Sequence, residues 1–216
     1  MDFKHIIWDF DGTLFDVYPH AARAFQIVLK REYGVMENVL EIEEQMRISM
    51  HRAYSYYKEK YELDHDFFKT FEEYRDIYEN QNITPYNNTF MLCKFIYEQG
   101  AMNYLLTDRN RTAVSVLQKH GFYELFEDCV TSEDCPFQSP SADGLVFLLE
   151  KNKIDKHDAL YIGDKEEDLQ AARTAGVRFC FFTEDVNHKA NNADYTVQNF
   201  SDLYYIINSS LSTRKD

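Results

Sequence analysis

The stretch IIWDFDGTLFD, residues 6–16, decides how the rest of the chain is read. Ile6, Ile7 and Trp8 form an apolar run that leads into Asp9. Asp11 follows at the next-but-one position, and Gly12 and Thr13 supply a turn. A short apolar run bounded by a turn is consistent with a buried strand. A buried strand that ends on a carboxylate places a charge at the edge of a low-dielectric core, which is costly unless something compensates it. The simplest release is that the strand end is a site, where carboxylates meet a cation and an electrophile.

Working outward, comparable runs recur at MNYLLT (102–107), DCVT (128–131), ALYIGD (159–164) and RFCFFT (178–183), each followed by a polar or acidic turn. Helical spacing lies between most of them, over 88–99, 110–120 and 166–175, and Gly100, Gly121 and Gly176 close those stretches. Alternating strands and helices predict an α/β fold, a three-layer Rossmann-like core with a parallel sheet between helices. Ligands of such sheets bind outside the carboxyl ends of the strands, where Asp9, Thr107 and Asp164 all fall.

One region breaks the alternation. From 17 to 84 there is no convincing strand; helical periodicity runs through a segment rich in Glu, Lys, Arg, Tyr and Phe, with breaks near Gly34, Asp64 and Pro85. The expected organisation is a core domain from 1–16 and 85–216 with an inserted helical cap over 17–84 that closes over the strand ends. The aromatic residues of the insert are expected to pack rather than to form a stacking platform.

Composition narrows the partners. Lys and Arg total 23 against 37 Asp and Glu, a net charge of −14, which repels nucleic-acid backbones and anionic membranes. A small anionic substrate remains compatible if a metal or local cations offset the field. Cys93, Cys129, Cys135 and Cys180 form no CxxC pair and no zinc spacing, as expected of thiols in a reducing compartment. MDFKHIIWDF is neither a signal peptide nor a membrane span. The expectation is a soluble cytoplasmic protein, a monomer or weak dimer, binding neither nucleic acid nor membrane.

The acids suggest a chemistry. Of two carboxylates at i and i+2 on a turning strand end, one can attack an electrophile while the other handles a proton. YIGDKEED (161–168) adds Asp164 at a second strand end and Asp168 one helical turn later. Several carboxylates without a neighbouring His or Cys suit a hard ion, Mg²⁺ foremost. Thr107 offers a hydroxyl and the N–H groups of the next turn as a cradle for phosphate oxygens. These parts together describe phosphoryl transfer through an aspartyl-phosphate.

DFDGT (9–13), LLT (105–107) and GDKEED (163–168), with the small-residue helix and AGV (175–177) after the last, resemble the first, second and fourth motifs of the haloacid dehalogenase superfamily, in its phosphatase-like branch with a helical cap after the first motif. The resemblance implies Asp9 as nucleophile and Asp11 as general acid/base. It implies Mg²⁺ held by Asp9, the Asp11 carbonyl and Asp164, with Asp168 supporting the metal or its waters. Thr107 would bind the transferring phosphoryl group, with Gly12, Asp108 and Ser139 in the phosphate-facing loops. The third motif departs from the pattern: in FQSPSAD (137–143) Ser139 stands where a lysine is expected, and Asp108 replaces a more usual amide. Both changes weaken anion binding, and loss of one such electrostatic stabiliser costs about 10²–10³ in rate. Lys165, Arg109 and Arg111 are conceivable substitute cations, each expected at a solvated surface. Arg47, His51 and Arg52, which could read a leaving group, are likewise expected on a solvated helix face.

The function expected from all this is a Mg²⁺-dependent phosphatase acting on a small phosphorylated metabolite. The alternative is a catalytically impaired phospholigand-binding or regulatory protein. Asp11 and Asp164 argue against a dehalogenase, and nothing in the sequence reports on a phosphosugar mutase.

Overall fold

The protein is described by a computed structural model over residues 3–134, 142–184 and 192–212. Its elements in chain order are β1 (His5–Trp8), β2 (Phe15–Asp16), α1 (Tyr18–Tyr33), α2 (Val39–Ile48), α3 (Met50–Tyr61), α4 (His65–Asn82), β3 (Thr84–Pro85), α5 (Thr89–Glu98), β4 (Met102–Leu106), α6 (Thr112–Lys119), β5 (Phe126–Val130), α7 (Ala142–Lys151), β6 (Ala159–Gly163), α8 (Glu166–Ala175), β7 (Arg178–Phe182), β8 (Tyr195–Val197) and α9 (Phe200–Ser212). The chain divides into two compact units, Met1–Leu14 with Pro85–Asp216, and Phe15–Thr84.

The first unit is α/β. Its sheet has the order β5-β4-β1-β6-β7-β8 with every pairing parallel. Strand periodicity sorts the side chains to two faces. Ile7, Tyr104, Leu106, Tyr161, Phe179 and Phe181 form one buried cluster with Leu145, Leu148 and Leu149 of α7 and Leu169 and Ala172 of α8. Trp8, at the alternate position of β1, meets Phe200 of α9 at a ring distance of 6.4 Å, and Phe182 meets the same ring at 4.7 Å. Helices thus cover both faces, and the core has three layers. Strands form at the expected runs. Strand β8 and helices α7 and α9 go beyond the sequence reading; in β8 only Val197 is buried, which leaves too short an apolar signal to read. Helix α8 stops at Gly176, whose φ of 73° is left-handed, and Val177 N–H closes back on the Ala172 carbonyl at 2.9 Å.

The second unit is helical. Helix α1 packs against α2 and α4, and α2 against α3. Asn38, Ser49 and Asp64 cap α2, α3 and α4 through their side-chain oxygens. Phe25 of α1 is its hub, with ring centroids 5.1 Å from Tyr57 and 5.2 Å from both Phe67 and Phe71. The aromatic residues of this segment therefore serve packing. No described helix is long and apolar enough to cross a membrane.

Strand β1 is anchored by a buried polar knot. Trp8 Nε1 donates to Asn103 Oδ1 at 3.0 Å, while Asn103 Nδ2 donates to the carbonyls of Cys93 at 2.9 Å and Leu125 at 3.0 Å. Removing the amide strands an indole donor and two acceptors, and each unsatisfied buried group costs about 1–3 kcal/mol. Asn103→Ala is therefore expected to lower unfolding free energy by roughly 3 kcal/mol or more in urea titrations while the secondary structure persists. An unchanged midpoint would show that water replaces the amide.

Candidate active site

Strand β1 pairs with β4 and β6 in a register that sets Trp8 beside Leu105 and Ile162. Pairing continues past the apolar run: Asp9 N–H donates to the Ile162 carbonyl at 2.9 Å. Asp9 thus lies at the level of Gly163, one residue before Asp164. On the far side, Thr107 N–H donates to the Val130 carbonyl at 3.0 Å and extends β4 along β5 in the same way. The carboxyl ends of β1, β4 and β6 therefore lie side by side.

Carboxylate oxygens of Asp9, Asp164 and Asp168 all lie within 4.8 Å of one another. Asp9 is only 6% exposed, and its Oδ2 has no hydrogen-bond partner. Burial, first, then the charge of Asp168, holds the Asp9 carboxyl well above its ordinary range; Asp164 and Asp11 add to the rise and Lys165 opposes it. Asp168 is fully buried. Its Oδ1 accepts from Tyr161 Oη at 2.6 Å and its Oδ2 from the Lys165 N–H at 3.2 Å. Burial pushes Asp168 up to about 6 against the opposing Lys165 charge and those hydrogen bonds. The carboxylate occupies the space above Gly163, where a β-carbon would lie 2.5 Å from Oδ2.

The other expected residues are close by in the fold. Asp11 accepts from Arg109 Nε at 2.5 Å in an ion pair whose side chains are 5% and 8% exposed, respectively. Gly12 follows with φ 77°, the left-handed conformation its turn requires. Thr107 is buried, and its Oγ1 accepts from the Arg109 N–H at 3.2 Å. Asp108 is exposed. Ser139 lies outside the described residues, as does Cys135.

Two expectations about cations are corrected. Arg109 is not at a solvated surface: its guanidinium stacks 5.2 Å from the Phe10 ring and is spent on Asp11. Lys165 is half-buried, and its charge acts on both Asp9 and Asp168. Arg47 in the helical unit keeps 38% of its side chain exposed, as expected of a solvated face, while it ion-pairs with Asp16 at 3.1 Å and Glu43 at 2.8 Å and lies over the Tyr18 ring. Arg111 is exposed, as expected, and pairs with Asp134. Tyr161 went unread. The signal was present: in a β-strand it projects to the same face as Gly163, the face α8 covers.

The donor set fits a hard divalent cation. It is all oxygen, it crowds like charges, and it leaves a buried carboxylate oxygen of Asp9 without a donor. Asp9 and Asp164 are the side chains that would hold it, with Asp168 behind them.

A family model described as haloacid dehalogenase-like hydrolase matches residues 6–182. The chain belongs to the haloacid dehalogenase-like hydrolases. It is 26% identical over 225 residues to a phosphoglycolate phosphatase of Vibrio parahaemolyticus, covering 95% of this chain and 96% of that one. It is 25% identical over 208 residues to the pyrophosphatase PpaX of Bacillus pumilus, with coverage of 94% and 95%. The structure of the HAD-hydrolase YfnB from Bacillus subtilis, solved bound to magnesium, matches with a TM-score of 0.77 at 18% identity, over 96% of this chain and 100% of that one.

A raised carboxyl pKa has a signed consequence. Between the ordinary value of 3.8 and about 6, folded Asp168 holds more proton than the unfolded chain, so stability falls as pH rises through that window. In metal-free protein, the stability of the parent relative to Asp168→Asn is expected to drop by roughly 3 kcal/mol between about pH 4 and pH 6. Urea midpoints measured in EDTA test this, and a divalent cation added at pH 7 should reverse the drop. A pH-independent difference would contradict the burial argument.

Proposed function

We propose that the protein is a divalent-cation-dependent phosphatase, with Mg²⁺ as the natural ion, that cleaves a small phosphorylated metabolite through an aspartyl-phosphate. The observation that carries this reading is the convergence within 4.8 Å of Asp9 and Asp164, at adjacent strand ends, with Asp168 from the first turn of α8. The names of the relatives, a phosphoglycolate phosphatase and a pyrophosphatase, support the reaction class. The magnesium reported for YfnB supports the ion.

In this mechanism a carboxylate oxygen of Asp9 attacks phosphorus, and the bond from phosphorus to the leaving oxygen breaks as Asp11 gives that oxygen its proton. Asp11, now ionised, takes a proton from water. The water oxygen displaces Asp9 from phosphorus, and inorganic phosphate departs. Asp9, the Asp11 carbonyl and Asp164 would hold the cation, which when bound offsets the repulsion between Asp9 and the phosphoryl oxygens. Asp168, fixed by Tyr161 and the Lys165 N–H, supports that arrangement. Thr107 binds the phosphoryl group, joined by the turns carrying Gly12 and Asp108.

Phosphate release from phosphoglycolate and from pyrophosphate, with Mg²⁺ and with EDTA, tests the reading. The parent is expected to release phosphate from at least one of them only with the cation, and Asp9→Asn is expected to fall to background with a melting temperature no lower than the parent's. Release by Asp9→Asn at the parent rate would refute the nucleophile, and no release from these two substrates or from p-nitrophenyl phosphate would refute the reading.

A further inference from the structure

We propose that Arg109 is a positioning residue for Asp11: it fixes the carboxylate that exchanges a proton with the leaving group and with water. The inference rests on the phosphatase reading above and adds a residue to it.

The geometry is specific. Arg109 Nε donates to Asp11 Oδ1 at 2.5 Å across 98 positions of sequence. Its backbone is pinned on both sides: the N–H donates to Thr107 Oγ1 at 3.2 Å, and the carbonyl accepts from Ser132 N–H at 2.9 Å. The guanidinium lies over Phe10, a fully buried ring between Asp9 and Asp11 in the chain. The donor thus comes from a rigid base.

Burying both partners makes this a poor device for stability alone. A buried ion pair must first offset the desolvation of both charges, and apolar replacements of equal volume often do as well. What such a pair does provide is orientation. Asp11 stands beside a turn residue with φ 77°, and its carboxylate could otherwise rotate about two side-chain torsions. Proton transfer requires the acid within hydrogen-bond reach of the leaving oxygen. A planar guanidinium held through Nε defines the carboxylate in a way a lysine ammonium does not.

The test uses Arg109→Met and Arg109→Lys in the full chain, alone and combined with Asp11→Asn, with p-nitrophenyl phosphate as substrate, followed through the first turnover and at steady state. Arg109→Met is expected to lower kcat by about 10²-fold, the usual penalty for a small misplacement of a reacting group. KM and the inhibition constant of inorganic phosphate should stay within about threefold, because the residue acts on Asp11 and not on the phosphoryl group. Arg109→Lys should recover part of the loss. In the Asp11→Asn background either change should cost less than about threefold, since residues acting as a unit are not additive.

Equal losses in both backgrounds would overturn the proposal. So would a loss carried by KM and the phosphate constant with kcat unchanged, which would make Arg109 a direct phosphate ligand. Melting temperatures separate either result from unfolding, and Arg109→Lys serves if the Met variant does not fold. If Asp9→Asn abolishes release while the cycle is additive, only the Arg109 inference fails. If the parent releases nothing from this or the two metabolite substrates, the phosphatase reading fails and takes this inference with it.

Discussion

The hydrogen bond from Asp9 N–H to the Ile162 carbonyl extends the β1–β6 ladder by one residue beyond the apolar run. That bond decides where the charge of Asp9 ends up. Without it the chain could turn at Trp8 and release the carboxylate to water. With it, Asp9 is held in register with Gly163, and the next residue of β6, Asp164, is necessarily a neighbour. Parallel pairing does the rest. Because β4, β1 and β6 run in the same direction and in matched register, their carboxyl ends are adjacent, and residues from three distant parts of the chain meet without any long loop.

Gathering carboxylates at that level has a cost, visible in how each is supported. Asp168 is packed into the space that a side chain at position 163 would fill, so the glycine is a steric requirement of the acid. Tyr161 points to the same face and places its hydroxyl on Asp168. Lys165, the N-cap of α8, turns its backbone N–H onto the same carboxylate. Strand, glycine and helix start thus form one support for a single buried acid. Each is explicable only by the others.

Much of this was legible in the sequence, because the chemistry is carried by short local patterns. Apolar periodicity puts Asp9, Thr107 and Asp164 at strand ends, and the motifs DFDGT and GDKEED add Asp11 on the following turn and Asp168 one helical turn on. The alternation of strands and helices gave the parallel sheet. Long-range pairing of charged side chains was not legible. Arg109 reads as a surface residue because arginine usually is one, and its partner lies 98 positions away. The pairing of Arg47 with Asp16, 31 positions away, was hidden for the same reason. Tyr161 was overlooked because an aromatic residue in a buried strand needs no further explanation, although a buried phenol needs an acceptor.

Asp9 and Asp11, separated by one phenylalanine, meet the cost of burial in opposite ways. Asp11 is given a fixed internal partner in Arg109, which sets its direction. Asp9 has an oxygen without a donor and stands in a field where three other carboxylates raise its pKa and one lysine lowers it. A protein selected for stability alone would have given both acids a partner or neither. The asymmetry suits a division of labour: an acid that must return to the same orientation after every proton transfer is held from within, while an acid that must form a bond is left for a cation and a substrate to complete. The first needs a rigid donor, and the second needs the lack of one.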